Sequence, residues 1–181
     1  MSKSDTVGII EVSDALKATL GNADNFRVQF HNLVRQAIDE VIDTPRTGRT
    51  KLSEIEKTEK TYIGTKIEIL ARALLKLPRG TKLDLLVENH EVDVKFTVTG
   101  NWMVPMTTLN ELCLLIFADT KKQTFGVGLL RMTKNNISES ENRDKKRRVN
   151  STGKNNILWL AYSQLHDRPI EADGNTGIYH I

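Results

Sequence analysis

Residues 82–99 read KLDLLVENHEVDVKFTVT, two strand-like runs that meet at Asn89 and His90. With those two as a hairpin turn, Glu88 faces Glu91, Leu86 faces Asp93 and Asp84 faces Lys95. Directly opposed residues share a face and side chains alternate along each strand, so Asp84, Asp93 and Lys95 emerge on one side of the ribbon. Leu83, Leu85, Val87, Val92, Val94 and Phe96 emerge on the other. One face is therefore continuous apolar surface, and the reverse carries two carboxylates and an ammonium.

Two carboxylates about one strand spacing apart repel, and a cation between them relieves the repulsion. Oxygen donors from Asp84 and Asp93, with the peptide carbonyl of Val94, suit a hard ion such as magnesium better than zinc. Lys95, pointing the same way as Asp93, would hold a water against a phosphate bound to that ion, the arrangement of metal-assisted phosphodiester hydrolysis. The plainer alternative is a solvated hairpin face on which Asp84 and Lys95 form a cross-strand ion pair contributing roughly 0.2–1 kcal/mol.

The whole chain sets bounds on these readings. Its 181 residues fit one domain with a single core, and 39% hydrophobic against 27% charged residues describe an ordinary globular protein. No apolar run is long enough to span a membrane, and MSKSDTVGII lacks a signal-peptide pattern. Cys113, the single cysteine, lies in the run LCLLIFA and reads as a buried small hydrophobe. With no internal disulfide possible, the expected location is the cytoplasm. A net charge of +3 favours a polyanionic partner only mildly, so the clustering of the cations matters more.

Upstream of the hairpin, residues 22–43 carry Phe26, Phe30, Leu33, Val34, Ala37, Ile38, Val41 and Ile42 at helical spacing, with an Asn or Asp cap and Pro45 as terminator. His31 on this helix has no partner histidine at ligand spacing and reads as structural or exposed rather than as a ligand. In TPRTGRTK, Arg46, Arg49 and Lys51 stand among turn formers with no acid from Thr44 to Ser53, which suits either a phosphate-tracking loop or a plain exposed one. Ser53 and Glu56 form a capping-box pattern for a helical region that reaches about Leu77, with a break near Thr61. Its stripe is Ile63, Ile67, Leu70, Leu74 and Leu77. Glu68 lies about 100° round from Ile67, on a strip with Gly64, Ala71 and Leu75. A carboxylate so bordered is partly desolvated, which makes Glu68 a candidate third acid. Pro78, Arg79 and Gly80 return the chain to the hairpin.

Downstream, Trp102 and Met103 stand in a loop bounded by Gly and Pro, as a core plug or as the lining of a DNA groove. Residues 111–118 and 124–132 read as two further strands, with Gly126, Val127 and Gly128 marking close strand packing rather than a nucleotide loop. Thr133 to Gly153 is a polar stretch with room for a helix and holds NRDKKRRVN, with five cations in six residues. Residues 157–163, ILWLAYS, read as a final buried strand. Tyr62-Ile63-Gly64 and Gly177-Ile178-Tyr179 match nuclease tags only in the wrong order, and no His and Cys pair has zinc spacing.

Asp84 followed after eight residues by Asp93-Val94-Lys95 is similar to the PD-(D/E)xK nuclease signature, with Leu83 where proline often stands. A longer match, KTEKTYIGTKIEI at 57–69, LDLLVENHEVDVKFTVTGNWMVP at 83–105 and the NRDKKRR segment, resembles the endonuclease domain of NaeI-type restriction enzymes over most of residues 45–160. The resemblance implies an α/β, restriction-endonuclease-like core with a central mixed β-sheet flanked by helices, here residues 1–165, followed by a tail, 166–181. It implies that Glu68, Asp84, Asp93 and Lys95 are the catalytic acids and lysine, with Mg2+ held by Glu68, Asp84, Asp93 and the Val94 carbonyl, and that the substrate is double-stranded DNA.

Under that reading the DNA contacts fall to Arg46, Arg49, Lys51, Lys60, Asn101, Trp102, Arg131, Arg143, Lys145, Lys146 and Arg147, with base-reading residues in 101–110 and 131–143. A homodimer on a palindromic site is expected, as is a cognate methyltransferase in the host without a stable complex. NaeI-type enzymes carry a second, winged-helix-like DNA-binding domain after the nuclease domain. None follows the last strand here, so the expectation is a stand-alone relative or a truncated product. A repair nicking enzyme or junction resolvase would use the same centre, and a non-catalytic DNA-binding module would keep the acids as structural groups.

Overall fold

The computed structural model describes residues 3–167. Its helices are α1 (Lys3–Thr19), α2 (Ala23–Ile42), the short α3 (Thr44–Thr47), α4 (Lys57–Leu75) and α5 (Ser151–Asn155). Its strands are β1 (Leu85–Val87), β2 (His90–Thr97), β3 (Met103–Pro105), β4 (Leu112–Asp119), β5 (Thr124–Arg131), β6 (Ile137–Glu141), β7 (Lys146–Val149) and β8 (Leu158–Gln164). A five-stranded sheet runs β1-β2-β4-β5-β8, and a three-stranded sheet runs β3-β7-β6. Among the described strands only β2 and β4 pair in parallel, joined by a crossover long enough to carry β3. The mixed central sheet with flanking helices is the restriction-endonuclease-like architecture expected.

Strand β4 explains why LCLLIFA is an unbroken apolar run. Leu112, Leu114, Ile116 and Ala118 face the helices, in one core with Phe26, Phe30, Val34 and Ile38 of α2 and Ile63, Ile67 and Ala71 of α4. Cys113, Leu115 and Phe117 face the other way, into a second core with Trp102, Val104, Met132, Ile137 and Val149 beneath the small sheet. A strand covered on both faces loses the alternation that marks a half-exposed one. The glycines of β5 belong to this close packing: a Cβ at Gly126 would lie 2.4 Å from the Phe117 ring, and one at Gly128 would lie 2.4 Å from a methyl of Ile157.

Several boundaries differ from the sequence reading, each for a local reason. Helix α1 was not anticipated; it buries Ile9, Val12 and Leu16, a stripe of only three residues in a polar segment. Helix α2 is capped as expected, the Asn22 side chain accepting from the Asn25 N–H at 2.8 Å. It ends at Asp43, in the left-handed conformation with φ of 48°, while Pro45 sits in the first turn of α3. Helix α4 starts at Lys57, runs unbroken past Thr61 and ends at Leu75 rather than Leu77; its capping box is Glu56 with Glu59, the latter accepting from the Glu56 N–H at 2.8 Å, rather than Ser53 with Glu56. The polar stretch folds into β6, β7 and α5. Strand β8 is an edge, not a buried strand: Trp159 is 36% and Tyr162 60% exposed. The expected tail falls outside the described residues beyond Asp167. Among those residues no helix is long and apolar enough to cross a membrane.

Candidate active site

The hairpin that presents the acids turns at Glu88 and Asn89, both at positive φ (47° and 63°), with Val87 opposite His90. Two successive positive φ values make the type I′ turn that suits strand twist. The turn thus lies one residue earlier than Asn89-His90. Opposed pairs shift by two, Leu86 now facing Glu91, so every side chain keeps its face. Continued by one residue, the register sets Asp84 level with Asp93 rather than with Lys95.

Strand β1 pairs with β2 only as far as Val92, leaving the same edge of β2 open beyond it. The site occupies that vacated edge. The Val94 N–H donates to Asp84 Oδ2 at 2.9 Å, and the Val94 carbonyl accepts from Lys95 Nζ at 2.9 Å. Lys95 Nζ also donates to Asp93 Oδ1 at 3.0 Å and lies 3.6 Å from Glu68 Oε1, which α4 carries. Glu68, Asp84, Asp93 and Lys95, taken from a helix, a loop and a strand, are therefore one cluster.

Asp93 is 5% exposed. Its Oδ2 lies 2.9 Å from the lysine ammonium, but out of hydrogen-bond alignment, so that oxygen is buried with no donor of its own. Burial raises the Asp93 carboxyl to about 6, the Asp84 carboxyl adding to the rise and the Lys95 ammonium opposing it. Burial also raises Glu68, against the pull of Lys95. For Lys95 burial acts downward, but Asp93, Glu68 and Asp84 outweigh it and hold the ammonium above its ordinary range. The three carboxylates carry more negative charge than one ammonium neutralises. Among the described residues no three acidic, His or Cys side chains already converge as ligands; Lys95 stands between these. The donors are nevertheless hard oxygens, one of them buried with only a misaligned ammonium contact, and such a set fits a hard divalent cation.

One residue of this site was not singled out from sequence. Glu91, on β2, accepts from the N–H groups of Thr81 at 2.7 Å and Leu83 at 2.9 Å, and from that of Lys82 at 3.3 Å. Those bonds, the one from Leu83 foremost, hold its carboxyl below the usual range. They also fix the loop that ends in Asp84. The signal was a run of N–H groups after Pro78-Arg79-Gly80 with no strand partner, of which that of buried Leu83 is shielded from water and needs a side-chain acceptor.

The residues assigned to DNA contact divide. Trp102 is 3% exposed and its indole N–H donates to the Ile116 carbonyl at 2.9 Å, so its ring plugs the second core and does not line a groove. Arg49 is held by Glu59 through bonds of 2.8 and 2.9 Å, tying the basic loop to α4. Arg147 is paired with Glu141 at 3.3 Å, and Arg131 donates to the Asn110 carbonyl. Arg46 and Lys51 are exposed and Lys60 half-buried, while Arg143, Lys145 and Lys146 stand exposed on the β6–β7 hairpin. Asn101 accepts from Lys154 Nζ at 2.9 Å. His31 is structural, as expected: it is buried, and its Nε2 accepts from the His166 N–H.

A family model for the restriction endonuclease NaeI matches residues 14–167, a range that takes in all four clustered residues. The chain belongs to the NaeI restriction endonuclease family. A relative within the range of that family, the type II restriction enzyme NaeI of Lentzea aerocolonigenes, is 29% identical over 157 residues, which is 85% of this chain and 49% of that enzyme. The chain thus spans about half the length of the curated NaeI relative it matches.

Proposed function

We propose that this chain is the nuclease unit of a type II restriction endonuclease that hydrolyses phosphodiester bonds of double-stranded DNA with a divalent metal, in the first place magnesium. The observation that carries the proposal is the cluster on the open edge of β2, where Glu68 and Asp93 share one ammonium and a third carboxylate, Asp84, is seated beside them on the Val94 N–H, so that three acids face a single cation. A purely structural ion pair gains nothing from the second and third acids, because burying extra like charge disfavours the fold. Family membership supports the same reading.

In this account Asp84, Asp93 and the Val94 carbonyl hold the metal, with Glu68 in support. Bound there, magnesium would act as a Lewis acid on a phosphoryl oxygen and make a water more acidic. Lys95 keeps its proton, held by Asp93 and Glu68, and places a fixed positive charge where negative charge builds on the phosphate. Glu68, with its affinity for a proton raised by burial, accepts a hydrogen bond from the attacking water and aligns it. The Val94 N–H holds Asp84 Oδ2, so that carboxylate presents its other oxygen. Two copies related by a two-fold axis would cut both strands of a palindromic site.

Plasmid digestion with and without magnesium tests this directly. The expected outcome is a set of discrete linear fragments whose mapped ends share one short symmetric sequence. Nicked circles alone would favour a repair enzyme built on the same centre, and DNA binding without cleavage in magnesium would leave only a binding module.

A further inference from the structure

The small sheet has a second polar feature that the cluster on β2 does not use. Val149 of β7 is buried in the second core, and alternation turns Lys146 and Arg148 to the opposite, outer side. Arg148 pairs in register with Met103 of β3, and the two share the lining of a groove of about 610 Å³ with Asn101, Ser140, Ser151 and Lys154. The single acid on its rim, Glu141, is taken by Arg147. Among the described residues neither Arg148 nor Lys154 is ion-paired; the partner of Lys154 is the neutral amide of Asn101. The groove therefore holds two uncompensated cations among hydroxyls and amides, continuous along β7 with the exposed cations of the hairpin tip, Arg143, Lys145 and Lys146.

We propose that this groove binds a DNA phosphate backbone, with Arg148 and Lys154 as the charged contacts and Asn101 orienting Lys154. Hydroxyls, amides and unpaired cations are the groups that hold backbone phosphates, and such contacts set position on the duplex without reading sequence. The proposal rests on the nuclease reading, and assigns that reading a positioning surface on the outer side of the small sheet, apart from the reacting centre. It also reassigns the basic run: Arg147, the member tied to Glu141, drops out, and Arg148 and Lys154 enter.

Fluorescence anisotropy of a labelled duplex, in calcium to prevent cutting and over a potassium chloride series, tests the assignment. Three proteins are compared: the wild type, Arg148→Gln/Lys154→Gln, and a control with the same charge change at the β4–β5 turn, Lys121→Gln/Lys122→Gln. The groove variant is expected to bind more weakly and to lower the slope of log affinity against log salt by about 2, roughly 0.9 per lost contact, equally for any duplex sequence. The control leaves the slope unchanged, and Arg148→Lys retains most of it because the charge remains. Thermal melting of each variant separates a lost contact from a lost fold. A groove variant that is folded and matches the control in slope overturns the assignment and leaves the nuclease reading standing. A wild type that binds no DNA overturns both.

Discussion

Asp93 is 5% exposed and shares its ammonium partner with Glu68, so its charge is held at a disadvantage. Its carboxyl titrates at about 6 in the fold against 3.8 when unfolded, so the folded protein binds the proton more readily. Folding stability therefore rises as pH falls from about 6 toward 3.8, and at higher pH the ionised Asp93 disfavours the fold by as much as about 3 kcal/mol. Asp93→Asn removes that charge. In metal-free protein, urea unfolding should show the variant more stable than wild type at about pH 8, with the gap closing below about pH 4. The same variant should lose cleavage by on the order of a hundredfold or more. Magnesium should raise the melting temperature of the wild type and leave that of Asp93→Asn nearly unchanged, because the variant lacks the charge the cation relieves.

At the scale of the element, the hairpin shows what the sequence held and what it did not. Alternation of Leu83, Leu85 and Val87 against Val92 and Val94 placed Asp84, Asp93 and Lys95 on one face; in the structure Asp93 and Lys95 share a face of β2, and Asp84 comes from the loop to the strand's open edge, on the Val94 N–H. The turn position was illegible, because registers differing by a two-residue shift in pairing bury the same side chains. Only the backbone chooses between them, at Glu88 and Asn89. For the same reason Glu91 was set opposite Glu88, although it organises the loop leading to Asp84. Glu91→Ala should lower the melting temperature and reduce the maximal cleavage rate more than DNA affinity, since it disturbs the seat of Asp84 and not a DNA contact. Wild-type stability from Glu91 is present above its unfolded pKa and is lost as pH falls through its lowered folded value. Glu91→Gln, which keeps the shape without the charge, should fall between the two. An effect on affinity alone would remove Glu91 from this role.

Over the whole molecule, the parts most legible in sequence were those with strong local patterns. The apolar stripe of α2 and the long runs of β4 and β5 lie where the structure has them, whereas α4 buries Ile63, Ile67, Ala71 and Leu75, turned toward the strip that holds Glu68, and leaves Leu70, Leu74 and Leu77 only partly buried. Helix α1 was missed because its buried stripe is three residues long, and β6 and β7 because their polar, solvent-facing residues give no apolar alternation. The acids were found because a carboxylate among apolar neighbours stands out; the state of each cation was not, because the pairing of Arg49 with Glu59 and of Arg147 with Glu141 depends on tertiary contacts. The two cores place the site at one edge of the central sheet, with the small sheet and its cations on the same side as Asp93 and Lys95. Single-turnover cleavage of a duplex by wild type and Lys95→Ala, at saturating magnesium, with binding measured separately in calcium, tests the central claim most directly. The account predicts that the variant binds DNA but cleaves about 10²–10³-fold more slowly. Cleavage by Lys95→Ala at the wild-type rate would contradict it.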